Sequence, residues 1–150
     1  MKYILFSLLI MLASCSDDEV NCDEVQPEPF RFKLVDQAGN NQFTPDLRPN
    51  DIKIYYYRNN GVEVTTDVAY EGSAEGTYGS SPVVSYSSVF ENVEIYYLER
   101  DSNVDTLLVR TSLRSPGNQC DGFSFDEVAF NGNAITLDNS VEPPVYVIVE

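Results

Sequence analysis

The sequence predicts an all-β fold, in the form of a single-domain antiparallel β-sandwich. Three observations support this prediction. Apolar and polar residues alternate with a period of two along most of the chain, about nine short segments are rich in Val, Ile, Tyr and Phe, and turn-forming Asn, Asp and Gly residues separate them. No segment has a convincing amphipathic helical pattern. A closed β-barrel is the alternative architecture for the same pattern of short strands.

The first predicted strand begins at Phe30. Phe30, Phe32 and Leu34 alternate with Arg31 and Lys33, as expected for a strand that buries only one of its faces. Half-buried strands of this kind are typical of sheets that pack face to face. The sandwich that they predict would be immunoglobulin-like or transthyretin-like.

Three hairpins account for most of the other predicted strands. In each, two strand-like segments flank Asn, Asp, Ser or Gly residues, which tolerate the positive φ angles of tight turns. The predicted pairs are 52–58 with 62–66, 93–100 with 104–112, and 123–130 with 134–137. Single strands are expected at 83–87 and 145–149, and long loops at 40–51 and 71–82.

Length and charge limit the function as well as the fold. The chain has 150 residues, 9 Lys and Arg, 24 Asp and Glu, and no His, which gives a formal net charge of -15. One domain is expected from this length. The negative field excludes a nucleic-acid binder that neutralises phosphates, and the lack of His excludes Ser-His-Asp and Cys-His catalysis. We expect no cofactor.

Residues 1–14 have the features of an export signal. Met1 and Lys2 give a short positive start, and the run that follows is apolar up to Ala13 except for Ser7. A membrane-spanning helix needs about 20 apolar residues, so this run is too short to span. Its length and its basic start are typical of the core of a signal peptide.

The tetrapeptide Leu12-Ala13-Ser14-Cys15 closes this segment. An aliphatic residue, two small residues and a cysteine in this order resemble the lipobox of bacterial lipoproteins. The resemblance implies that Cys15 becomes the first residue of the mature chain and carries the lipids that anchor it, and more than one acyl chain gives stable anchoring. The alternative is an ordinary secretory signal that contains a cysteine by chance.

An acidic run, Ser16-Asp17-Asp18-Glu19, follows Cys15. It resembles the surface-export signal of lipoproteins of the Bacteroidota, which implies an outer-membrane lipoprotein that faces the cell exterior. The alternatives are a lipoprotein that faces the periplasm and a plain solvated tether. The expected organisation is therefore a signal peptide at 1–14, an acidic flexible tether at 15–29 and a β-sandwich domain at 30–150.

The three cysteines fit this organisation. With Cys15 acylated, as the lipobox resemblance implies, Cys22 and Cys120 remain in an oxidising compartment, where a disulfide persists. Such a bridge would close a loop of about 100 residues, to which the chain-entropy model assigns roughly 4–5 kcal/mol. Two free thiols are the alternative, and a zinc site would lack ligands.

Tyrosines form the first candidate site within the domain. Tyr55 and Tyr57 share one face of a predicted strand, and Tyr96 lies on another strand. Exposed aromatic rings beside carboxylates can stack on sugar rings, so Tyr55, Tyr57 and Tyr96 are predicted as a ligand-binding set, with a glycan as the ligand class. Cross-strand aromatic packing within the sheet accounts for the same residues and is the favoured interpretation.

Asp101, Asn103 and Asp105 are the candidate metal ligands. Oxygen donors at alternate residues match the first three ligand positions of an EF-hand calcium loop. However, Thr106 and Ser112 stand where such a loop requires Gly and Glu. Because Asp and Asn also favour tight turns, the predicted hairpin accounts for the same residues. We therefore predict no metal site.

Asp121, Asp126 and Glu127 are the candidate catalytic carboxylates, and they lie beside Cys120. Two carboxylates can act as acid and base in a glycosidase when burial raises the pKa of one of them. The alternative is structural, because the Asp126-Glu127 doublet interrupts the alternation as a β-bulge would. We expect no enzymatic activity, and a small hydrolase is the hypothesis that these carboxylates leave open.

The sequence as a whole predicts a lipid-anchored cell-envelope lipoprotein that acts as a non-catalytic binding or structural module. Its expected partners are the membrane, through Cys15, and a protein or glycan at the cell surface. The alternative is a glycan-binding accessory lipoprotein of an outer-membrane uptake system. Within the domain, Asp105-Thr106-Leu107 resembles the short O-glycosylation sequence of exported proteins of the Bacteroidota, which would make Thr106 the acceptor.

Overall fold

The computed structural model describes residues 27–43, 52–66, 68–73, 76–113 and 122–150. Within these ranges the chain forms eleven strands and one helix. In chain order they are β1 (Phe30–Val35), β2 (Ile52–Tyr57), β3 (Glu63–Thr66), β4 (Ala69–Ser73), β5 (Gly76–Ser81), α1 (Pro82–Phe90), β6 (Ile95–Arg100), β7 (Asn103–Leu113), β8 (Phe123–Phe130), β9 (Asn133–Ala134), β10 (Thr136–Asp138) and β11 (Val145–Val149). The helix is too short to cross a membrane, and no other helix is found in these ranges.

The strands form two sheets. The five-stranded sheet has the order β10-β11-β1-β5-β4, and the six-stranded sheet has the order β3-β2-β6-β7-β8-β9. Among the described strands, β1 and β11 are the one parallel pair, with Phe32 opposite Tyr146, and all other pairs are antiparallel. Neither sheet closes on itself, so the predicted all-β sandwich is confirmed and the barrel alternative is wrong.

Aromatic rings from both sheets meet in the core. The ring of Phe30 lies 5.4 Å from that of Tyr146 and 5.6 Å from that of Phe125, measured between centroids. Phe32, the next inward residue of β1, makes an edge contact at 5.5 Å with Phe43. The side chains of Phe30, Phe32 and Leu34 are all fully buried, which confirms the predicted alternation along β1.

The three predicted hairpins are present, with one difference of extent. The turn at Asn59-Asn60-Gly61 joins β2 to β3, and a turn at residues 101–102 joins β6 to β7. The third hairpin, between β8 and β9, pairs only two residues of its return strand, Asn133 and Ala134. The chain then leaves for the other sheet as β10, which pairs with β11. The predicted return strand 134–137 is therefore divided between the two sheets.

The predicted strand at 83–87 is wrong, because these residues belong to helix α1. The helix begins where the Ser81 hydroxyl accepts a hydrogen bond from the Val84 N–H (3.4 Å) and Pro82 occupies the first turn, a combination that favours a helix start. Its buried face consists largely of serines. An apolar stripe is therefore lacking, and hydrophobic periodicity gave no helical signal.

The hydroxyls on the buried face of α1 are largely satisfied within the domain. Ser87 Oγ donates to the carbonyl oxygen of Val83 (2.7 Å), one turn back in the helix. Ser88 Oγ donates to the Val109 carbonyl oxygen on β7 (3.2 Å). Serine hydroxyls can replace apolar contacts in a helix interface when each finds an acceptor.

The predicted long loop at 71–82 is also wrong, because its described residues belong to β4 and β5, which form a hairpin, and to the start of α1. Gly72, Gly76 and Gly79 are typical of a loop, yet Gly79 is required by the core. A Cβ atom at Gly79 would lie 2.9 Å from the Phe32 ring and 3.1 Å from the Phe43 ring. Because glycine has no side chain, the rings of Phe32 and Phe43 can pack directly against the backbone of β5.

The predicted β-bulge at the Asp126-Glu127 doublet is confirmed. On β7, Arg110 pairs with Glu127 and the next residue, Thr111, pairs with Phe125. Asp126 is therefore the extra residue of β8 and has no partner opposite it. Because of this extra residue, the alternation of core-facing side chains shifts by one position along β8. Phe125 before the bulge and Val128 after it therefore both pack towards the core.

Several predictions concern residues outside the described ranges. The signal peptide at 1–14, the tether up to residue 26, and the loop at 44–51 lie there, as do Cys15, Cys22 and Cys120. The acylation of Cys15 and the disulfide between Cys22 and Cys120 therefore stay predictions.

We predict that Gly79→Ala destabilises the domain. The added methyl group would overlap the rings of Phe32 and Phe43, and overpacking of a filled core costs about 1–3 kcal/mol. The free energy of unfolding in urea measures this change. Gly72→Ala is the matched control, because a Cβ at Gly72 of β4 meets no atom within 4 Å. Equal stability of the two variants would contradict the predicted close packing at Gly79.

Candidate functional site

Three tyrosines lie together on the outer face of the six-stranded sheet. Along β2, Ile54 and Tyr56 face the core, so Tyr55 and Tyr57 face outwards. Tyr97 on β6 is directly opposite Tyr55. We name Tyr55, Tyr57 and Tyr97 the tyrosine face.

The rings of the tyrosine face contact one another. The rings of Tyr55 and Tyr97 are stacked, with centroids 5.2 Å apart. Tyr57 makes edge contacts with Tyr97 at 5.7 Å and with Tyr55 at 5.9 Å. The cross-strand packing that we considered as the alternative to a ligand site is therefore present. Tyr57 nevertheless leaves 48% of its surface exposed, so an aromatic contact surface remains at one end of the face.

Tyr96, predicted as part of this set, lies on the other side of β6. Its side chain is 0% exposed, so it cannot contact a ligand on the outer face, and Tyr97 takes its place there. The Tyr96 hydroxyl lies 2.8 Å from Ser87 Oγ and 3.0 and 3.2 Å from the carbonyl oxygens of Val84 and Val93. Burial raises the pKa of this hydroxyl well above its usual range. Tyr96 thus holds α1 against β6.

Carboxylates surround the tyrosine face. The Tyr57 hydroxyl donates to Glu63 Oε2 on β3 (3.1 Å), and this hydrogen bond raises the pKa of Tyr57. The pKa of Tyr55 is raised by burial and by the nearby charges of Glu99 and Glu63. Both phenols therefore stay protonated at neutral pH and remain able to donate hydrogen bonds.

A hollow of about 540 Å³ adjoins the exposed end of the tyrosine face. It lies between the β2–β3 turn and the segment that follows α1. Its lining combines the ring of Tyr57, one guanidinium, two carboxylates and three amides with two apolar side chains. The lining residues are Tyr57, Arg58, Asn59, Asn60, Glu91, Asn92, Val93, Glu94 and Ile95.

An ion pair orders one wall of this hollow. Arg58 donates from Nη2 to Glu91 Oε1 (2.9 Å) and from Nε to Glu91 Oε2 (3.1 Å). The buried Tyr56 also donates its hydroxyl to Glu91 Oε2 (3.1 Å). The Arg58 guanidinium holds the pKa of the Glu91 carboxyl below its usual range. The wall therefore presents fixed charged groups beside the aromatic ring.

No local pattern in the sequence indicates this hollow. Arg58 and Glu91 are 33 residues apart, and Glu91 follows a helix that hydrophobic periodicity does not reveal. Asn59 and Asn60 indicate only a turn. The pairing of β2 with β6 brings these residues together.

The candidate catalytic carboxylates are exposed. Asp126 accepts a hydrogen bond from Ser124 Oγ (2.9 Å), and Glu127 pairs with Arg110. Arg110 also bonds to Glu94 (3.0 Å). Asp121 lies outside the described ranges. Asp126 and Glu127 therefore lack the burial that is typical of a general acid.

Of the candidate metal ligands, Asp101 lies in the turn between β6 and β7, whereas Asn103 and Asp105 lie on β7. Asp101 and Ser102 both have positive φ angles, of 48° and 68°, as in a two-residue hairpin turn. Asp105 accepts a hydrogen bond from Asn131 Nδ2 (2.8 Å) across the sheet. In the described part of the chain no group of three or more His, Cys, Asp or Glu residues is placed to hold a metal ion.

We predict that Tyr96→Phe lowers stability more than Tyr97→Phe. Removing the Tyr96 hydroxyl leaves buried carbonyl oxygens and the Ser87 hydroxyl with one partner fewer, which costs about 1–2 kcal/mol. Tyr97 lies on the outer face, where substitutions change stability by about 0.5 kcal/mol or less. Urea unfolding of both variants measures the difference.

The same pair tests the titration of Tyr96. Folding raises the pKa of the Tyr96 hydroxyl above the value of about 10 that it has in the unfolded chain. The contribution of Tyr96 to the free energy of unfolding is therefore fully present below about pH 10 and falls as the pH rises above it. Tyr96→Phe should weaken this alkaline loss, whereas Tyr97→Phe should retain it. A larger destabilisation by Tyr97→Phe would contradict the assignment of Tyr96 to the interior.

Comparison with known proteins identified no relative. No protein-family model, no curated protein and no solved structure matches the chain. Proposals about its function therefore depend on the chain's own residues, above all on the tyrosine face and the hollow beside it.

Proposed function

We propose that the protein is a lipid-anchored lipoprotein of the outer membrane that acts as a non-catalytic binding module at the cell surface. The anchor is supported by the resemblance of Leu12-Ala13-Ser14-Cys15 to a lipobox, and the cell exterior by the acidic run after Cys15. A lipoprotein that faces the periplasm is the alternative location. The binding role is carried by one structural observation, the tyrosine face with its adjoining hollow.

The position of the tether agrees with this proposal. The proposed tether leads into β1, which lies in the five-stranded sheet. The tyrosine face belongs to the outer surface of the other sheet. The proposed anchor therefore joins the domain at the sheet that does not carry the tyrosine face.

A glycan is the ligand class that the hollow favours. Sugar recognition uses an aromatic ring against the apolar face of the sugar together with planar polar groups that bond its hydroxyls. Tyr57 supplies the ring, and the side chains of Asn59, Asn60 and Asn92 supply amides. Glu91 supplies acceptor oxygens held in place by Arg58. A glycan-binding accessory lipoprotein of an uptake system is thus our second candidate function.

The non-catalytic part of the proposal is supported by the state of the acidic residues. Asp126 and Glu127 are exposed, and Glu127 pairs with Arg110. The hollow contains the Glu91–Arg58 ion pair, in which the carboxyl pKa is lowered. A carboxylate held ionised in this way is suited to accept hydrogen bonds and is unsuited to act as a general acid at neutral pH.

Acylation of Cys15 is the first test of the proposal. We expect mass spectrometry of the membrane fraction to find a mature chain that begins at Cys15 with lipids attached. The Cys15→Ser variant should be absent from that fraction, because it lacks the thiol that accepts the lipid. An unmodified native chain in the soluble fraction would refute the lipoprotein proposal.

Glycan binding is tested on the chain from residue 15 with Cys15→Ser. We expect a glycan array to give hits that Tyr57→Ala weakens about tenfold or more, since loss of a central aromatic contact costs at least about 1.4 kcal/mol. Tyr86→Ala is the matched control, because Tyr86 on α1 is also 48% exposed but lies outside the hollow. Hits that both variants bind equally, or no hits, would exclude this glycan site.

A further inference from the structure

The polarity of helix α1 is the reverse of that of an ordinary surface helix. Its buried residues are Val84 and three serines, whereas its exposed side carries aromatic rings. Tyr86 is 48% exposed and Phe90 is 41% exposed. A surface helix usually buries its apolar side chains and exposes its polar ones. Large apolar side chains that lie together on a surface indicate that the surface contacts another body.

The exposed aromatic side chains form a continuous patch. Pro82, Tyr86 and Phe90 stand at every fourth residue of α1 and are all exposed, so they lie on one side of the helix. The ring centroids of Tyr86 and Phe90 are 4.8 Å apart, and Phe123 on β8 makes an edge contact with Phe90 at 5.6 Å. We name Pro82, Tyr86, Phe90 and Phe123 the helix patch.

The helix that carries this patch is uncharged, although the chain is strongly acidic. The residues of α1, Pro82–Phe90, include no Asp, Glu, Lys or Arg, while the whole chain has a net charge of -15. Glu91, which directly follows the helix, is held in an ion pair by Arg58 at 2.9 Å. The transfer of an unpaired charge out of water is costly. Helix α1 can therefore approach an apolar surface without the desolvation of a free charge.

The chain enters the domain beside the helix patch. Pro27, the first described residue, lines the same cavity as Val89 of α1 and Phe123 of β8. The proposed lipid anchor at Cys15 precedes Pro27 in the chain. Such an anchor joins the domain next to the helix patch. A contact with lipid that would be weak in solution is then strengthened, because the anchor holds the domain at the membrane.

The other possible occupants of the patch match it less well. Residues 16–26 contain five acidic residues, and two valines are their only aliphatic or aromatic side chains; residues 114–121 contain no Val, Leu, Ile, Phe or Tyr. These segments thus offer little apolar surface to cover aromatic rings. A second copy of the chain would bring another strongly negative charge close to the first. The headgroup region of a bilayer, in contrast, favours tyrosine and phenylalanine rings on an amphipathic helix.

We propose that the helix patch contacts the surface of the lipid bilayer to which the protein is anchored. The rings of Tyr86 and Phe90 enter the headgroup region, and Pro82 and Phe123 lie at the margin of the contact. This inference rests on the proposed lipid anchor. It adds that one side of the folded domain is oriented towards the membrane, so that the anchor and the domain both contact lipid.

Tryptophan fluorescence on vesicles tests the proposal, because the chain contains no Trp. The chain from residue 15, with Cys15→Ser and an N-terminal polyhistidine tag, is held on phosphatidylcholine vesicles that contain a nickel-chelating lipid. We expect the emission of Phe90→Trp to shift to shorter wavelength on the vesicles and to lose roughly half of its intensity or more with brominated phosphatidylcholine, since an interfacial helix buries its apolar side chains to that depth. Tyr57→Trp, at a position of similar exposure on the tyrosine face, is the matched control and should show neither change. Quenching of both variants alike, or of neither, would overturn the proposal.

A charge variant locates the contact. In the Phe90→Trp chain, Tyr86→Glu should abolish the shift and the quenching, because it places a charge in the patch. Val104→Glu, which adds the same charge at another exposed apolar residue on β7, should retain both. Urea unfolding checks that the two charge variants are folded. Equal quenching of the two charge variants would refute the helix patch as the contact.

The same fluorophore identifies the other occupants. Without vesicles, a Phe90→Trp emission that shifts with protein concentration would show that a second copy covers the patch. An emission already at short wavelength in dilute protein would show that the chain itself covers it, and either result would overturn the proposal. Because the tag replaces the lipid, failure of this test leaves the acylation of Cys15 untouched. A native chain without acylation would instead refute the anchor, whatever the vesicle result.

Discussion

Phe30 and Phe32 pack between the two sheets and join them into one core. Both residues are fully buried, and Phe30 contacts rings from each sheet, Tyr146 on β11 and Phe125 on β8. Their strand, β1, also joins β11 in parallel and β5 antiparallel. The glycine at position 79 follows from this packing, since a larger residue would overlap the Phe32 ring. The alternation of β1 then places Arg31 on the side away from Phe30.

Helix α1 connects the two sheets of the sandwich. It follows β5 of the five-stranded sheet and precedes β6 of the six-stranded sheet. A helix at this position must bury polar backbone ends, and Tyr96 places its hydroxyl beside the carbonyl oxygens of Val84 and Val93. Its interface is polar: Ser88 Oγ donates to the Val109 carbonyl oxygen on β7, and Ser87 Oγ hydrogen-bonds with the Tyr96 hydroxyl on β6. The orientation of the helix is therefore specified by hydrogen-bond geometry as well as by burial.

The outer face of the six-stranded sheet presents side chains in regular rows, which is why Tyr55, Tyr57 and Tyr97 are neighbours. Tyr55 and Tyr97 are direct cross-strand partners, and the three rings contact one another. Of the carboxylates beside them, Glu63 accepts a hydrogen bond from Tyr57 and Glu99 lies 4.0 Å from Lys53 Nζ. The tyrosine face therefore combines aromatic rings with charged groups that already have partners.

The all-β class, β1, the three hairpins and the bulge at Asp126 could be predicted from the sequence, because side-chain alternation and turn residues are local properties of a strand. The sequence does not show that 83–87 is a helix, since serines on the buried face hide the helical period. The sequence also does not show which of Tyr96 and Tyr97 faces the core, because either of two adjacent tyrosines can be the buried residue of a strand. The hollow could not be predicted, because the β2–β3 turn and the segment after α1 come together only when β2 pairs with β6 and α1 reaches its place in the fold.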